Sequence, residues 1–236
     1  MATHCNDQQL QFQGFGNKKI IVKNDGSVNS SDGGLLLLQQ LEQKYRIIER
    51  LNDCFTDSRE KYRIKHDLIS LLSQRIFGIC QGYEDLNDHD ILRNDPLLQY
   101  VCGKKKGTLA AGKSTLNRLE LGKEPDYGQD DDWRYSKITW EDSKIEDLFC
   151  ELFLESFDSV PDQIILDFDA TDISVYGDQQ SKFFHGYYDH HCFLPLYVFS
   201  DNFLLSATLR PSNIDGCKGT EEILEKLVHR IKKRFP

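Results

Sequence analysis

The sequence predicts an α+β protein, with a mostly helical N-terminal region followed by strands and a closing helix. Three observations point there. Apolar residues recur at helical spacing as far as Leu121. Beyond Pro161 the pattern changes to short apolar runs separated by turn residues. The last stretch, Thr220 to Phe235, is again amphipathic with a helical period.

Taken in order, residues 1–16 show no periodicity and read as a frayed tail, while Lys19 to Lys23 reads as a short strand ended by Asn24-Asp25-Gly26. A helix is expected after the capping residues Ser30 to Asp32, with a stripe of Leu35, Leu38, Leu41, Tyr45, Ile48, Leu51 and Phe55. A second covers Ser58 to Cys80, with Ile64, Leu68, Leu71, Leu72 and Ile76 on one face, and Gly82 breaks it. Shorter helices follow over Asp88 to Tyr100, opening near Asp95-Pro96, and over Ser114 to Leu121. Thr139 to Asp142 resembles a capping box for a helix reaching about Phe157. Strands are expected at Gln163 to Phe168, Phe183 to Tyr188, Cys192 to Phe199 and Phe203 to Leu209, the last three as an antiparallel meander. The closing helix buries Ile223, Leu224, Leu227, Val228 and Ile231.

Composition narrows the class. Of 236 residues, 39% are hydrophobic and 11% aromatic, too many rings for a disordered chain. The longest apolar run, Phe193 to Phe199, is too short to cross a bilayer and contains Pro195. The start has neither the basic residues nor the apolar stretch of a secretory signal. Seven scattered cysteines without a C-x-x-C pair read as reduced thiols in a cytoplasmic protein. The net charge of −9 conceals an asymmetry: Glu124 to Asp178 carries 17 acidic and 3 basic residues, so the remainder is net basic. Lys104 to Lys123 and Lys226 to Arg234 are its basic patches, and an average charge is the wrong argument against a nucleic-acid partner.

Two motifs bear on chemistry. Gly107 to Ser114 matches the phosphate-loop pattern G-x-x-x-x-G-K-[ST], whose geometry requires a buried strand before the first glycine. Cys102-Gly103-Lys104-Lys105-Lys106 is too polar for that strand, so the letters read as a basic loop entering a helix. In Ile164 to Asp172, alternation along a strand puts Asp167 and Asp169 on one side and Leu166 and Phe168 on the other. Paired carboxylates repel unless a cation or donors compensate, and oxygen-only ligands suit Mg²⁺ or Mn²⁺. The other reading gives one Asp to the turn and the other to solvent. His185, His190 and His191 are close in sequence, but adjacent strand residues face opposite sides, which argues against a zinc site.

These stretches carry a resemblance. SSDGGLLLLQQLE (30–42), QRIFGICQGYEDLNDHDILRNDPLL (74–98), GKSTLNRLE (112–120), ILDFDATD (165–172), KFFHGYYDHHCFLPLYVF (182–199) and LRPSNIDGCKG (209–219) occur in order. Together they resemble the DDE transposases of bacterial insertion sequences, whose catalytic core is RNase H-like. The resemblance implies Asp169, in Asp169-Ala170-Thr171, as the first catalytic and metal-binding carboxylate, with Asp167 as the fallback. It implies two divalent ions, Mg²⁺ in practice, clamped by two Asp and one Glu for cleavage and strand transfer at transposon-end DNA. It also suggests Lys104, Lys105, Lys106, Lys113, Arg118 and Arg210 as DNA contacts, and puts Asn213 near the active site.

The second Asp should follow the helix ending at Phe235, and the Glu commonly sits in a Tyr-x-x-Arg pattern that this sequence does not contain. The expectation is therefore the N-terminal portion of such an enzyme, truncated before the next strand, with weak or absent metal binding. The expected organisation is a tail and short strand at 1–34, a helical region at 35–123, an acidic loop at 124–136 and a partial RNase H-like domain at 137–236. The alternative function is a non-catalytic DNA-binding or oligomerising fragment that inhibits a full-length transposase by co-assembly.

Overall fold

The computed structural model describes residues 4–6, 9–15, 18–23, 29–105, 107–121, 137–177 and 182–236. The acidic segment 124–132 and Lys106 lie outside them. The fold is α+β and divides into two compact units, Met1–Glu141 and Asp142–Pro236.

In the first unit, β1 (His4–Asn6), β2 (Gln9–Phe15) and β3 (Lys18–Lys23) form an antiparallel sheet in the order β1-β2-β3. The expected tail is thus paired. The alternation of Gln-Leu-Gln-Phe-Gln is a strand signal, and it sets Leu10 opposite Val22 and Phe12 opposite Ile20. The first expected helix is interrupted. Helix α1 (Leu35–Tyr45) stops at Arg46, whose φ of 51° is left-handed, and α2 (Ile47–Asn52) restarts in a new direction. Glu42 stabilises the break, its carboxylate accepting from Ile48 N (2.9 Å) and Glu49 N (3.1 Å). Leu41 and Tyr45 consequently leave the apolar stripe and are exposed.

The second expected helix starts ten residues late. Strand β4 (Phe55–Asp57) pairs with β5 (Ile138–Trp140), and Asp57 then binds the backbone and guanidinium of Arg59. Residues 58–67 run extended around one short turn at Lys61–Arg63. Helix α3 (Leu68–Cys80) begins only where Asp67 caps it, accepting from Ser70 N at 3.2 Å. The β4–β5 pairing also takes Thr139 into a ladder opposite Thr56, so it does not cap the following helix. The helix expected over Asp88 to Tyr100 is instead two, α4 (His89–Leu92) and α5 (Pro96–Val101), the second starting where Asp95 caps it through Leu97 N and Leu98 N, both 2.8 Å, and α6 (Lys113–Glu120) completes the unit.

At the centre of this core lies a polar clamp. Gln74 is fully buried among Leu71, Leu116 and their neighbours. Its amide donates to Ala111 O and accepts from Ala111 N, both at 2.8 Å, across 37 residues of chain. His89 Nδ1 stands 3.2 Å from the same Nε2. The His89 ring needs Gly78, because a Cβ there would lie 2.8 Å from its Cε1.

The second unit contains α7 (Asp142–Glu155), six strands and α8 (Thr220–Arg234). Strands β6 (Asp167–Ala170), β10 (Leu196–Ser200) and β11 (Phe203–Thr208) form one antiparallel sheet, ordered β11-β10-β6. Strands β7 (Ile173–Ser174), β8 (Phe183–His185) and β9 (His190–Phe193) form another, ordered β7-β9-β8. The expected run Cys192 to Phe199 is therefore split between two sheets. Pro195 has no N–H for a ladder, and Leu194 N turns to Arg210 O (2.9 Å). Likewise, regular pairing begins at Asp167 and not at Gln163. Cys150, Phe153, Leu154, Val198, Leu205 and Leu227 make the core, and Phe168 packs against it. Of the α8 stripe only Leu227 is fully buried, with Leu224 39% exposed.

Two outcomes follow from the clamp. Gln74→Leu leaves Ala111 N–H and C=O buried without partners, and should cost on the order of 3 kcal/mol in urea unfolding of the whole chain. His89 is held below the ordinary imidazole range by burial and then by Arg75. The unfolded chain therefore takes up more protons as pH falls through about 6.5, and stability declines there. The urea midpoint should be lower at about pH 5.5 than at about pH 7.5.

Candidate active site

Burial alternates along β6: Asp167 and Asp169 are exposed, while Phe168 and Ala170 are partly covered. Phe168 turns to the apolar core formed with α7 and α8, so both carboxylates occupy the opposite, open face of the sheet. Register sets Asp169 opposite Tyr197 and Asp167 opposite Phe199, whose rings lie 6.2 Å apart on β10. Among the described residues β6 pairs with β10 alone, so Asp169 sits on an edge strand.

A polar cluster lies just beyond β6. His190 Nε2 is 2.7 Å from Asp172 Oδ2 and 3.2 Å from Ser174 Oγ. Both contacts share one ring nitrogen, whereas a Ser–His–Asp relay uses opposite nitrogens, so this is a hydrogen-bonded cluster and not a nucleophile relay. Tyr188 lies between this pair and β6, its hydroxyl 3.5 Å from Ala170 O. Desolvation, then the negative charge of Asp172, then Tyr187 and Asp169, raise its phenol above the ordinary value. It stays a hydrogen-bond donor across the physiological range. His191 leaves this cluster and packs edge-on against Phe184, so the adjacent histidines do separate.

Arg210 is 7% exposed and turned inward. Its guanidinium donates to Leu194 O (2.9 Å), Lys218 O (2.5 Å) and Gly216 O (3.1 Å). Burial pulls its pKa down. Asn213 is exposed in the loop that Arg210 supports.

The other expected cations are in the first unit. Lys104 is half-buried and donates to Ser70 Oγ (2.7 Å), its ammonium pushed down by burial. Lys105 and Arg118 are exposed. Lys113 reaches Asn87 Oδ1 (3.0 Å) and Asp90 (3.7 Å). The phosphate-loop letters are not a phosphate loop. A helix, α5, precedes Gly107, and the backbone N–H groups of Ala110, Ala111 and Lys113 are already bound to Arg93 O, Gln74 Oε1 and Asp90 Oδ1.

An α+β unit with paired carboxylates on the open face of a sheet, and without a nucleotide loop, defines a carboxylate-based class of site. Residues 12–236 match the family model described as transposase DDE domain, group 1, and the chain belongs to that family. No curated protein and no solved structure matches the chain. DDE transposases act on DNA and generally use divalent metal. Among the described residues no three His, Cys, Asp or Glu side chains converge as a ligand set. Asp167 and Asp169 would offer a hard cation carboxylate oxygens from one face of β6, which falls short of a full ligand set. No helix among the described residues is long and apolar enough to cross a membrane. The pairing of Asp172 with His190, and the place of Tyr188, were not foreseen from sequence. The density of rings and acids in Tyr187-Tyr188-Asp189-His190 was the only available signal.

The Arg210 contacts imply a structural load. Arg210→Ala strips three carbonyls of their donor and should cost on the order of 3 kcal/mol, read as a lower urea midpoint. Arg210→Lys should recover only part of it, because an ammonium cannot span the same carbonyls.

Proposed function

We propose that the chain acts in DNA transposition of an insertion sequence, in the cytoplasm, with Asp169 as the first carboxylate of its catalytic centre. The observation that carries this is the exposed alternation of Asp167 and Asp169 on the edge strand of a one-sided sheet, in a chain of the DDE family. The antiparallel order β11-β10-β6 followed by α8 agrees with the opening strands and first helix of an RNase H-like core. Asp169, with Asp167 beside it on the same face, would hold a divalent ion, Mg²⁺ in the cell. When bound, such an ion lowers the barrier to phosphodiester cleavage by stabilising negative charge on oxygen. Tyr188 supplies a protonated hydroxyl beside the carboxylates, and the Asp172–His190 pair fixes the turn that follows β6.

One carboxylate pair cannot clamp two ions. The partners are transposon-end DNA and additional transposase copies. The same observation supports a second reading, in which this stretch alone binds DNA or a full-length relative and inhibits it by co-assembly.

Manganese binding followed by electron paramagnetic resonance tests the site. Weak binding is expected, falling at least about tenfold in Asp169→Asn and unchanged in Asp162→Asn. Equal affinity in Asp169→Asn would remove Asp169 from the assignment. With Mg²⁺ and duplex DNA, this chain alone should cleave no faster than Asp169→Asn. Cleavage that disappears in Asp169→Asn would mean that its own carboxylates suffice.

A further inference from the structure

The first unit contains a groove of about 600 Å³, bounded by the extended segment 59–66, Arg93, the start of α6 and Lys137. Six cations line it: Arg59, Arg63, Lys65, Arg93, Arg118 and Lys137. Only two acids, Glu60 and Asp90, oppose them. Arg59 is neutralised by Asp57, and Asp90 is engaged by Lys113. Among the described residues the other five cations have no carboxylate partner. Such a concentration of like charge is costly to hold together without an anion.

Three independent features agree. His66 lines the groove and is held below the ordinary imidazole range by burial, then by Lys104 and Arg93, which reports a positive local field. Its Nδ1 and Arg93 Nε are buried without a partner. The N-cap of α6 is Gly112, and a Cβ there would come within 2.9 Å of Arg93 Nη1 and 3.0 Å of Asp90 Oδ1, which accepts from Lys113 N. The helix start and the guanidinium are thus brought together, with Ser114 and Thr115 facing the groove.

We infer that this groove binds the phosphodiester backbone of duplex DNA, contacting phosphates and not bases. The lining has no Phe, Tyr or Trp on which a base could stack, and its arginines, lysines, Ser114 and Thr115 are the side chains that most often meet phosphate oxygens. Six cations in one groove are more than a single isolated phosphate needs, and they suit a polyanion. The inference rests on the DNA partner proposed above and gives the first unit its own contact with it. It moves the main contact away from Lys104 and Lys113, which are engaged within the fold.

The test uses the full chain and fluorescence anisotropy with two duplexes of unrelated sequence across a salt series. The groove variant is Arg63→Gln/Lys65→Gln/Arg118→Gln, all at exposed positions, with an unchanged melting temperature as the folding control. The comparison variant, Lys226→Gln/Lys232→Gln/Lys233→Gln, removes equal charge from α8. The groove variant should weaken both duplexes about tenfold or more and flatten the log–log salt slope by about 2 to 3, with the α8 variant within about twofold of the parent. Inorganic phosphate at matched ionic strength should not displace the duplex. Displacement would mark an isolated phosphate site and overturn the assignment. Parent binding that survives the groove substitutions, or falls equally with the α8 ones, would overturn the groove while leaving a DNA partner in place. Failure of the parent chain to bind either duplex at low salt would overturn both.

Discussion

Gln74 is the constraint on which the first unit depends. A fully buried amide satisfies both backbone groups of Ala111 and abuts His89, so one side chain joins α3, the α4 region and the entry to α6. Inside an apolar core these bonds face no competition from water, and their geometry admits only one register for the loop 107–112. That register decides where Gly112 falls, hence where α6 begins and how closely Arg93 approaches it. The groove is a by-product of closing this loop. It also explains why a letter-perfect phosphate loop has no nucleotide chemistry: the amides that would face phosphate are already bound within the protein.

The helices with strong local signals were legible. Asp95-Pro96 announced α5, the Thr220–Phe235 period announced α8, and Asp167 with Asp169 could be placed on one side of a strand from alternation alone. What stayed hidden was set by contacts distant in sequence. Ser58 to Asp67 has an acceptable helical pattern, yet Asp57 engages Arg59, β4 pairs with β5 about eighty residues away, and the helix waits for Asp67. Arg46 breaks an otherwise continuous stripe because Glu42 supplies a new cap, a bargain between two charged residues that periodicity does not register. The division of the C-terminal strands at Pro195 was readable in principle, since proline cannot donate within a ladder.

The same limits apply to function. A period of two puts Asp167 and Asp169 on one face of β6 without choosing between them, and the resemblance alone singles out Asp169. Basic residues were counted by run, and the run Lys104 to Lys106 drew attention away from cations scattered over eighty residues. Arg59, Arg63 and Lys65 lie within seven residues, but Arg93, Arg118 and Lys137 are distant in sequence, and only the fold gathers the six. Conversely, Arg210 belongs to one of the six resembling blocks, yet its guanidinium serves the backbone.

That last arrangement has a consequence for how the sequence can change over time. Arg210 grips carbonyl oxygens, and every residue type has one. The grip on Leu194, Gly216 and Lys218 is therefore indifferent to the side chains those positions carry. Ser212 adds an anchor of its own, its buried hydroxyl donating to Phe183 O, whereas Asn213 and Ile214 supply neither contact, and substitutions there leave the anchoring in place. A lineage could vary the exposed tip of this loop widely while the start of α8 stays fixed, provided that one arginine is kept.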